Sequence, residues 1–261
     1  YVSGYPGSQI VEYDFARPLG LRQAEPNPKR LGHPASDTHI PLGGTVGGAD
    51  GRVYNGGTTA GRRRIGGGLG WYDRSTGKLG GMPLEGHRIF WMTSAADARY
   101  IVLSSKCEDQ GQLFVWDTQT HEFHHRVDPP RDATRPGPIV EALPGLVMGH
   151  TVGADDAPLL YGFEPASGEI LWTKSVPSPP VTAFSLVRRQ AYSFRRGPNG
   201  FIWSFFDNTL VRINPHTAEV QAIGRLPSGS RPAQIAFAQG QLFLAGGSRI
   251  HRIELPDPAN R

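Results

Sequence analysis

Six times along this chain a hydrophobic or aromatic pair is followed by Asp, Asn or Glu and then by a polar turn. The full copies are Trp71-Tyr72-Asp73-Arg74-Ser75-Thr76-Gly77-Lys78, Val115-Trp116-Asp117-Thr118-Gln119-Thr120-His121-Glu122, Gly162-Phe163-Glu164-Pro165-Ala166-Ser167-Gly168-Glu169 and Arg212-Ile213-Asn214-Pro215-His216-Thr217-Ala218-Glu219. Glu12-Tyr13-Asp14 and Arg252-Ile253-Glu254 are shorter copies. The acidic or amide positions 14, 73, 117, 164, 214 and 254 are 59, 44, 47, 50 and 40 apart. A short-strand unit at this period cannot bury its own hydrophobic face and must stack on its neighbours, which is the pattern of a β-propeller.

The repeated acidic residue itself marks shape. Asp-x-x-Thr-Gly and Asn-Pro-x-Thr set hairpin turns through side-chain to backbone hydrogen bonds. The aromatics Trp71, Tyr72, Trp116, Phe163 and Trp203 fall on strands and are expected to fill the core between blades.

The expected fold is all-β, a propeller of four-stranded blades, about five complete and one partial in this chain and seven in the intact protein. One domain spans 1–261, in units of approximately 1–37, 38–83, 84–130, 131–177, 178–227 and 228–261. Strands A to D run from the channel outward in each unit. The first unit shows only B- and C-like segments, Val2–Gly4 and Gln9–Tyr13, and the last shows no D strand. Open sheet edges invite aggregation, so further segments N-terminal to Tyr1 are expected. In the second unit B covers Val53–Asn55 and C starts at Leu69, with a Gly-rich loop over 54–70. The inner strand of the fifth unit is expected at Thr182–Val187.

Composition narrows the partners. The charge is +4, carried by 23 Arg and only four Lys. This excess reflects either genome composition or recognition of carboxylates, sulfates or phosphates, which the planar Arg fork suits better than Lys. No Lys/Arg tract is interleaved with aromatics, so no nucleic-acid partner is expected. No apolar run of 18 residues occurs, and no membrane partner is expected. Cys107 is the only cysteine, so no intrachain disulfide can form. No His-Glu-x-x-His or paired Cys-x-x-Cys is present, and no metal site or cofactor is expected, apart from a structural cation that a propeller channel can hold.

Antiparallel strands divide the loops between two ends of each blade. The A–B and C–D turns are short and rich in Gly and Asp. The B–C and D–A connections collect a different population, with His39, His87, Arg88 and Arg135 on the D–A side and Tyr54, Arg62, Arg63, Arg64 and His150 on the B–C side. Functional groups concentrate on loops held by a rigid scaffold. His39, Tyr54, His87 and His150 are therefore candidate acid–base residues, and Arg62, Arg63, Arg64 and Arg135 candidate substrate-binding residues. A histidine in such a place can equally be a hydrogen-bonded structural one.

Several phrases carry family resemblance. Gly197-Pro198-Asn199-Gly200-Phe201-Ile202-Trp203 resembles the blade phrase of streptogramin lyases. Gly47-Gly48-Ala49-Asp50-Gly51-Arg52-Val53-Tyr54, followed by Gly67-Gly68-Leu69-Gly70-Trp71-Tyr72-Asp73, resembles secreted propellers related to polysaccharide lyases and glycosidases, of the rhamnose–glucuronate and ulvan lyase types. The second resemblance implies a secreted or periplasmic enzyme acting on an acidic, uronic-acid-containing oligo- or polysaccharide by β-elimination. His or Tyr would move the protons and Arg would neutralise the carboxylate. The alternatives are a non-catalytic propeller binding a protein or glycan through its Arg/His rim, and a streptogramin-lyase-like enzyme acting on a small cyclic ester.

Overall fold

The computed structural model describes residues 1–22, 24–34, 38–59, 66–107, 110–130, 135–152, 158–176, 194–206, 209–225, 232–246 and 249–254. They form six antiparallel sheets, in each of which the strands lie in sequence order. Sheet one holds β1 (Val2–Gly4), β2 (Gln9–Glu12) and β3 (Lys29–Gly32). Sheet two holds β4 (Ile40–Gly47), β5 (Arg52–Thr58), β6 (Gly66–Asp73) and β7 (Leu79–Glu85). Sheet three holds β8 (Arg88–Ala95), β9 (Tyr100–Cys107), β10 (Gln110–Asp117) and β11 (Glu122–Val127). Sheet four holds β12 (Arg135–Leu143), β13 (Leu146–Val152), β14 (Pro158–Glu164) and β15 (Glu169–Ser175). Sheet five holds β16 (Arg195–Arg196), β17 (Ile202–Phe206), β18 (Thr209–Ile213) and β19 (Val220–Arg225). Sheet six holds β20 (Pro232–Ala238), β21 (Gln241–Gly246) and β22 (Arg249–Glu254). Two compact units result, Tyr1–Asp128 with sheets one to three and Pro129–Arg261 with sheets four to six.

Four sheets are four-stranded and two are three-stranded, where five complete blades and one partial were expected. The difference includes β3, a strand the sequence hides because two of its four residues are Lys29 and Arg30 and a long loop precedes it. The expected inner strand at Thr182–Val187 lies outside the described residues, and β16 is the innermost described strand of sheet five.

The repeated phrase forms the C–D turns by a common set of bonds. Asp73 Oδ1 accepts the N–H groups of Ser75 (2.9 Å) and Thr76 (3.2 Å) and the Ser75 hydroxyl (2.7 Å). The side-chain oxygens of Asp117 and Asn214 accept the N–H two residues on, at 2.7 and 2.9 Å. Four residues after each acidic or amide position, Gly77, His121, Gly168 and Ala218 take φ of 68°, 57°, 75° and 53°. Their N–H groups return to the carbonyls of Asp73, Asp117, Glu164 and Asn214 at 2.8–2.9 Å. The Ser75 hydroxyl, helped by the Thr76 and Ser75 N–H groups and the Arg52 guanidinium, holds the Asp73 carboxyl down at about 2. The phrase Gly197–Trp203 makes the hairpin into β17, where Gly197 N–H meets the Phe201 carbonyl (2.8 Å). A Cβ on Gly197 would lie 2.5 Å from Trp203 Nε1, so the glycine is the floor on which that indole sits.

Sheets pack face to face within each unit. In the first unit Tyr54 and Leu69 of sheet two meet Ile89, Met92, Ile101, Leu103, Phe114 and Trp116 of sheet three. In the second, one cluster joins Ala142, Met148 and Leu160 to Phe194, Ile202, Phe206, Val211 and Ile213, and another joins Trp203, Phe205 and Leu210 to Ile235, Leu242 and Leu244. Trp116, Phe163 and Trp203 are buried as expected, and Trp71 stacks on Trp116 with ring centroids 5.8 Å apart. Successive residues of a strand point to opposite faces, so β5, β9 and β17, covered on both faces, are buried almost throughout, while burial alternates along β11 and β15.

The expected loop over 54–70 is mostly strand. β5 runs on to Thr58 and β6 begins at Gly66, leaving only 59–65 between them. The glycines lie within the sheet because their neighbours leave no room for a side chain. A Cβ on Gly57 would strike the Ile40 carbonyl, one on Gly67 the Gly57 carbonyl, and one on Gly70 the Asn55 side chain.

Residues 13–28, between β2 and β3, are organised by Asn27, a buried side chain. Its Nδ2 donates to the carbonyls of Asp14 (2.8 Å), Arg17 (2.9 Å) and Pro18 (3.2 Å), and its Oδ1 accepts the Asp14 N–H (2.9 Å). Truncation removes four hydrogen bonds centred on one buried side chain, so Asn27→Ala is expected to lower stability by about 2–3 kcal/mol. Urea unfolding checks this, and a midpoint unchanged from wild type would contradict the role of Asn27.

Candidate functional site

Each candidate side chain can be followed from its strand. His150 sits on β13 opposite Leu160 of β14. It is fully buried, and neither ring nitrogen has a hydrogen-bond partner among the described residues. Phe194 and Phe206 flank the imidazole at centroid distances of 6.4 and 6.2 Å. Gly137 of β12 stands against it, and a Cβ there would come within 2.7 Å of Nδ1. Burial among such groups disfavours the imidazolium and pushes the His150 pKa down to about 4. At neutral pH the ring therefore offers one N–H and one lone pair, both unmatched by these neighbours.

Arg135 opens β12 and pairs with Val152, two residues along β13 from His150. Its backbone thus lies at the same end of sheet four as the imidazole. Arg62, Arg63 and Arg64 lie outside the described residues.

In the first unit, His39 and His87 come to one end of sheet two. The His39 N–H donates to the Thr58 carbonyl (2.7 Å), at the end of β5. Thr58 pairs with Gly67, whose Cβ would lie 2.8 Å from the His87 carbonyl. The His39 carbonyl accepts N–H groups from Gly7 (2.8 Å) and Ser8 (3.3 Å), and its half-buried ring meets Tyr5 edge-on at 5.4 Å.

The His87 ring is built in. An Arg126 nitrogen lies 3.3 Å from Nε2 and Ser105 Oγ 3.4 Å from Nδ1. A guanidinium can only donate, so Nε2 holds the lone pair and Nδ1–H faces Ser105. The Ser105 hydroxyl passes the chain on to the Gln112 carbonyl (3.1 Å). Phe114 packs against the ring at 4.8 Å, and burial followed by the Arg126 charge lowers the His87 pKa. Both ring nitrogens of His87 are thus engaged by side chains of the same sheet.

Tyr54 is likewise engaged by its neighbours. It lies near the start of β5, at the A–B end of sheet two, away from Thr58. Its hydroxyl donates to Asp50 Oδ2 (2.7 Å) and accepts from Trp116 Nε1 (3.3 Å). The ring is fully buried, and burial, then the Asp50 carboxylate, push the phenol pKa up. It ties the Gly48–Gly51 turn to the core. The groups that sequence reasoning missed are Gly137, Phe194 and Phe206 around His150, and Ser105 and Arg126 around His87. All come from other strands or segments, and no local signal marks them. Among the described residues, no group of three His, Cys, Asp or Glu side chains is placed to hold a metal ion.

No family model and no curated protein sequence matches the chain. Solved structures do. A catalytically inactive histidine-to-alanine variant of virginiamycin B lyase from Staphylococcus aureus, with quinupristin, superposes with a TM-score of 0.64 at 16% identity, over 90% of this chain and 72% of that one. The fold is a β-propeller. The Dos1 propeller follows at a TM-score of 0.55 and 12% identity, over 77% of this chain and 50% of that one. The Cps50 (Swd1) β-propeller domain of Myceliophteria thermophila gives 0.53 at 14% identity, over 85% and 68%. The propeller thus carries a lyase in one neighbour and other proteins in the rest, so the chemistry has to be argued from the His150 site.

Proposed function

We propose that this propeller is an eliminating enzyme, a lyase of streptogramin-lyase type, with His150 as its base. The observation that carries the reading is the fully buried imidazole, neither of whose nitrogens has a hydrogen-bond partner among the described residues. Leaving a buried polar atom unpaired costs about 1–3 kcal/mol, which a site tolerates when a ligand completes the bonds. Elimination needs a base that removes a carbon-bound proton beside a carbonyl while a C–O bond breaks and the electron pair becomes a C=C bond. Neutral His150 has the lone pair. Its surroundings disfavour an imidazolium on its own, so the proton moves only when a developing enolate lies beside the ring to pair with it. The walls of Phe194 and Phe206 suit an apolar substrate, and the likeness to virginiamycin B lyase, crystallised with quinupristin, supports the same direction.

A second reading is elimination at a uronic acid, favoured by the place of Arg135 at the same end of sheet four as His150. There the guanidinium would neutralise the carboxylate that acidifies the proton.

Quinupristin and glucuronate-containing polysaccharides are the substrates to screen, by mass change and by ultraviolet absorbance of the new double bond. His150→Ala is expected to lower kcat/KM by about 10²–10⁴-fold while His87→Gln changes it far less. The profile of kcat/KM should be flat from pH 6 to 8 and fall only toward pH 4, following the imidazole. Turnover that survives in His150→Ala would refute the assignment. Binding of either ligand without product would make the chain a binding module.

A further inference from the structure

Sheets two and three are joined by two residues, Gly86 and His87. Gly86 takes φ of 74°, and the His87 N–H returns to the Leu84 carbonyl (3.1 Å), so the chain turns sharply from β7 into β8. The His87 side chain pins this turn to sheet three, where it meets Ser105 of β9, Phe114 of β10 and Arg126 of β11. Arg126 closes the arrangement from outside. It is an exposed residue of the edge strand, yet its guanidinium lies over the Phe114 ring at 5.5 Å and donates to His87 Nε2 at 3.3 Å.

This contact holds only while Nε2 carries a lone pair. A proton there sets N–H against N–H and positive charge against positive charge across 3.3 Å. The Nδ1 side gives no relief, since Nδ1–H faces Ser105, whose hydroxyl donates to the Gln112 carbonyl (3.1 Å), in either state. Glu85 and Arg88 flank the connection in the chain, Lys106 is the ladder partner of Arg88, and Asp128 accepts from Gln112 (3.1 Å). Cys107 lies beside Gly86, its Sγ 3.7 Å from where a Cβ would stand. Among the described residues, the charge that bears on the imidazole is that of Arg126. His87 is buried and bonded into the sheet, whereas Arg126 has solvent beside it, so Arg126 is the partner that moves. We propose that His87 and Arg126 form an acid-released latch on the connection between sheets two and three: neutral His87 holds the guanidinium down, and protonated His87 expels it into solvent and lets water reach the ring. Burial and then the Arg126 charge lower the His87 pKa, so the latch is closed at neutral pH and opens below the ordinary imidazole value of 6.5. It involves none of the groups around His150 and stands or falls independently of the proposed chemistry.

Nuclear magnetic resonance of the whole 261-residue chain between pH 8 and 4 tests it. The His87 ring signals should titrate with a midpoint below 6.5. The Arg126 side-chain signals, displaced by the Phe114 ring while the guanidinium lies over it, should move toward those of the exposed Arg225 with the same midpoint. Both changes should occur while the amide spectrum remains that of the folded chain. Arg126→Gln should raise the His87 midpoint toward 6.5, because it removes the charge and leaves the burial. His87→Gln, which keeps a neutral acceptor, should abolish the pH response of Arg126; the other readings need no change at the buried position. Arg126 signals that stay in place as His87 titrates, or a His87 midpoint unmoved by Arg126→Gln, would each overturn the proposal. So would global unfolding before His87 takes its proton, since the open state would then not exist in the folded chain.

Discussion

Gly67→Ala should destabilise the first unit by on the order of 3 kcal/mol, a loss usually reserved for large core truncations. The added Cβ would overlap the Gly57 carbonyl oxygen and lie 2.8 Å from the His87 carbonyl oxygen. Both are backbone atoms. One belongs to the paired strand β5 and the other leads directly into β8, so neither can move without distorting a ladder. A side-chain neighbour could rotate away; a ladder cannot. Gly47→Ala, in β4 of the same sheet, is the control, since a Cβ there meets nothing within 4 Å. In urea the Gly67 variant should lose on the order of 1–2 M in midpoint and the Gly47 variant almost nothing. Equal midpoints for the two would show that the close packing of β5, β6 and the chain before β8 is not what these glycines serve.

The second large effect is on acid stability. The native His150 pKa of about 4 lies below the ordinary value of 6.5. Between those values the unfolded chain binds the proton and the native imidazole does not. Stability therefore rises with pH through this window and falls as pH drops from about 6.5 to about 4, by about 3 kcal/mol in all. His87, lowered by burial and by Arg126, adds a loss of the same sign. Asp73 and Asp117 act in a separate range, because their depressed carboxyls contribute above the ordinary value of 3.8 and lose that contribution only below it. His150→Leu should keep or raise stability at pH 7, since an apolar side chain replaces two nitrogens that have no partner among the described residues, and should flatten the slope between pH 6.5 and 4. Urea midpoints measured across pH 4–8 decide it. An unchanged slope in the leucine variant would mean that the buried imidazole is not the group being titrated.

These two effects also mark where local sequence stops being informative. Asp73, Asp117 and Asn214 could be assigned as turn residues because their partners are two or three positions away in the chain. The glycines at 57 and 67 invited the idea of a loop that lets a ligand approach. What approaches is the protein's own backbone, from Ile40, Gly57 and His87. The candidate histidines were identified by type and by their positions along the strands, yet their states were not. His87 is locked by Arg126 and Ser105, and His150 is isolated among Phe194, Phe206 and Gly137. Tyr54 was set on the wrong end of its strand. Its position could be counted from Gly51, but the Asp50 and Trp116 partners that explain it belong to a turn and to another sheet.

By itself, then, the sequence determined that this chain is a stack of short antiparallel blades. Strand alternation and turn chemistry are local, and they recur every 40–59 residues. Only the tertiary structure decided which polar groups within those blades are satisfied. Hydrogen bonding and desolvation depend on atoms brought in from other strands and other sheets, and it is those atoms that keep His150 neutral, with no hydrogen-bond partner among the described residues, while engaging His87 and Tyr54.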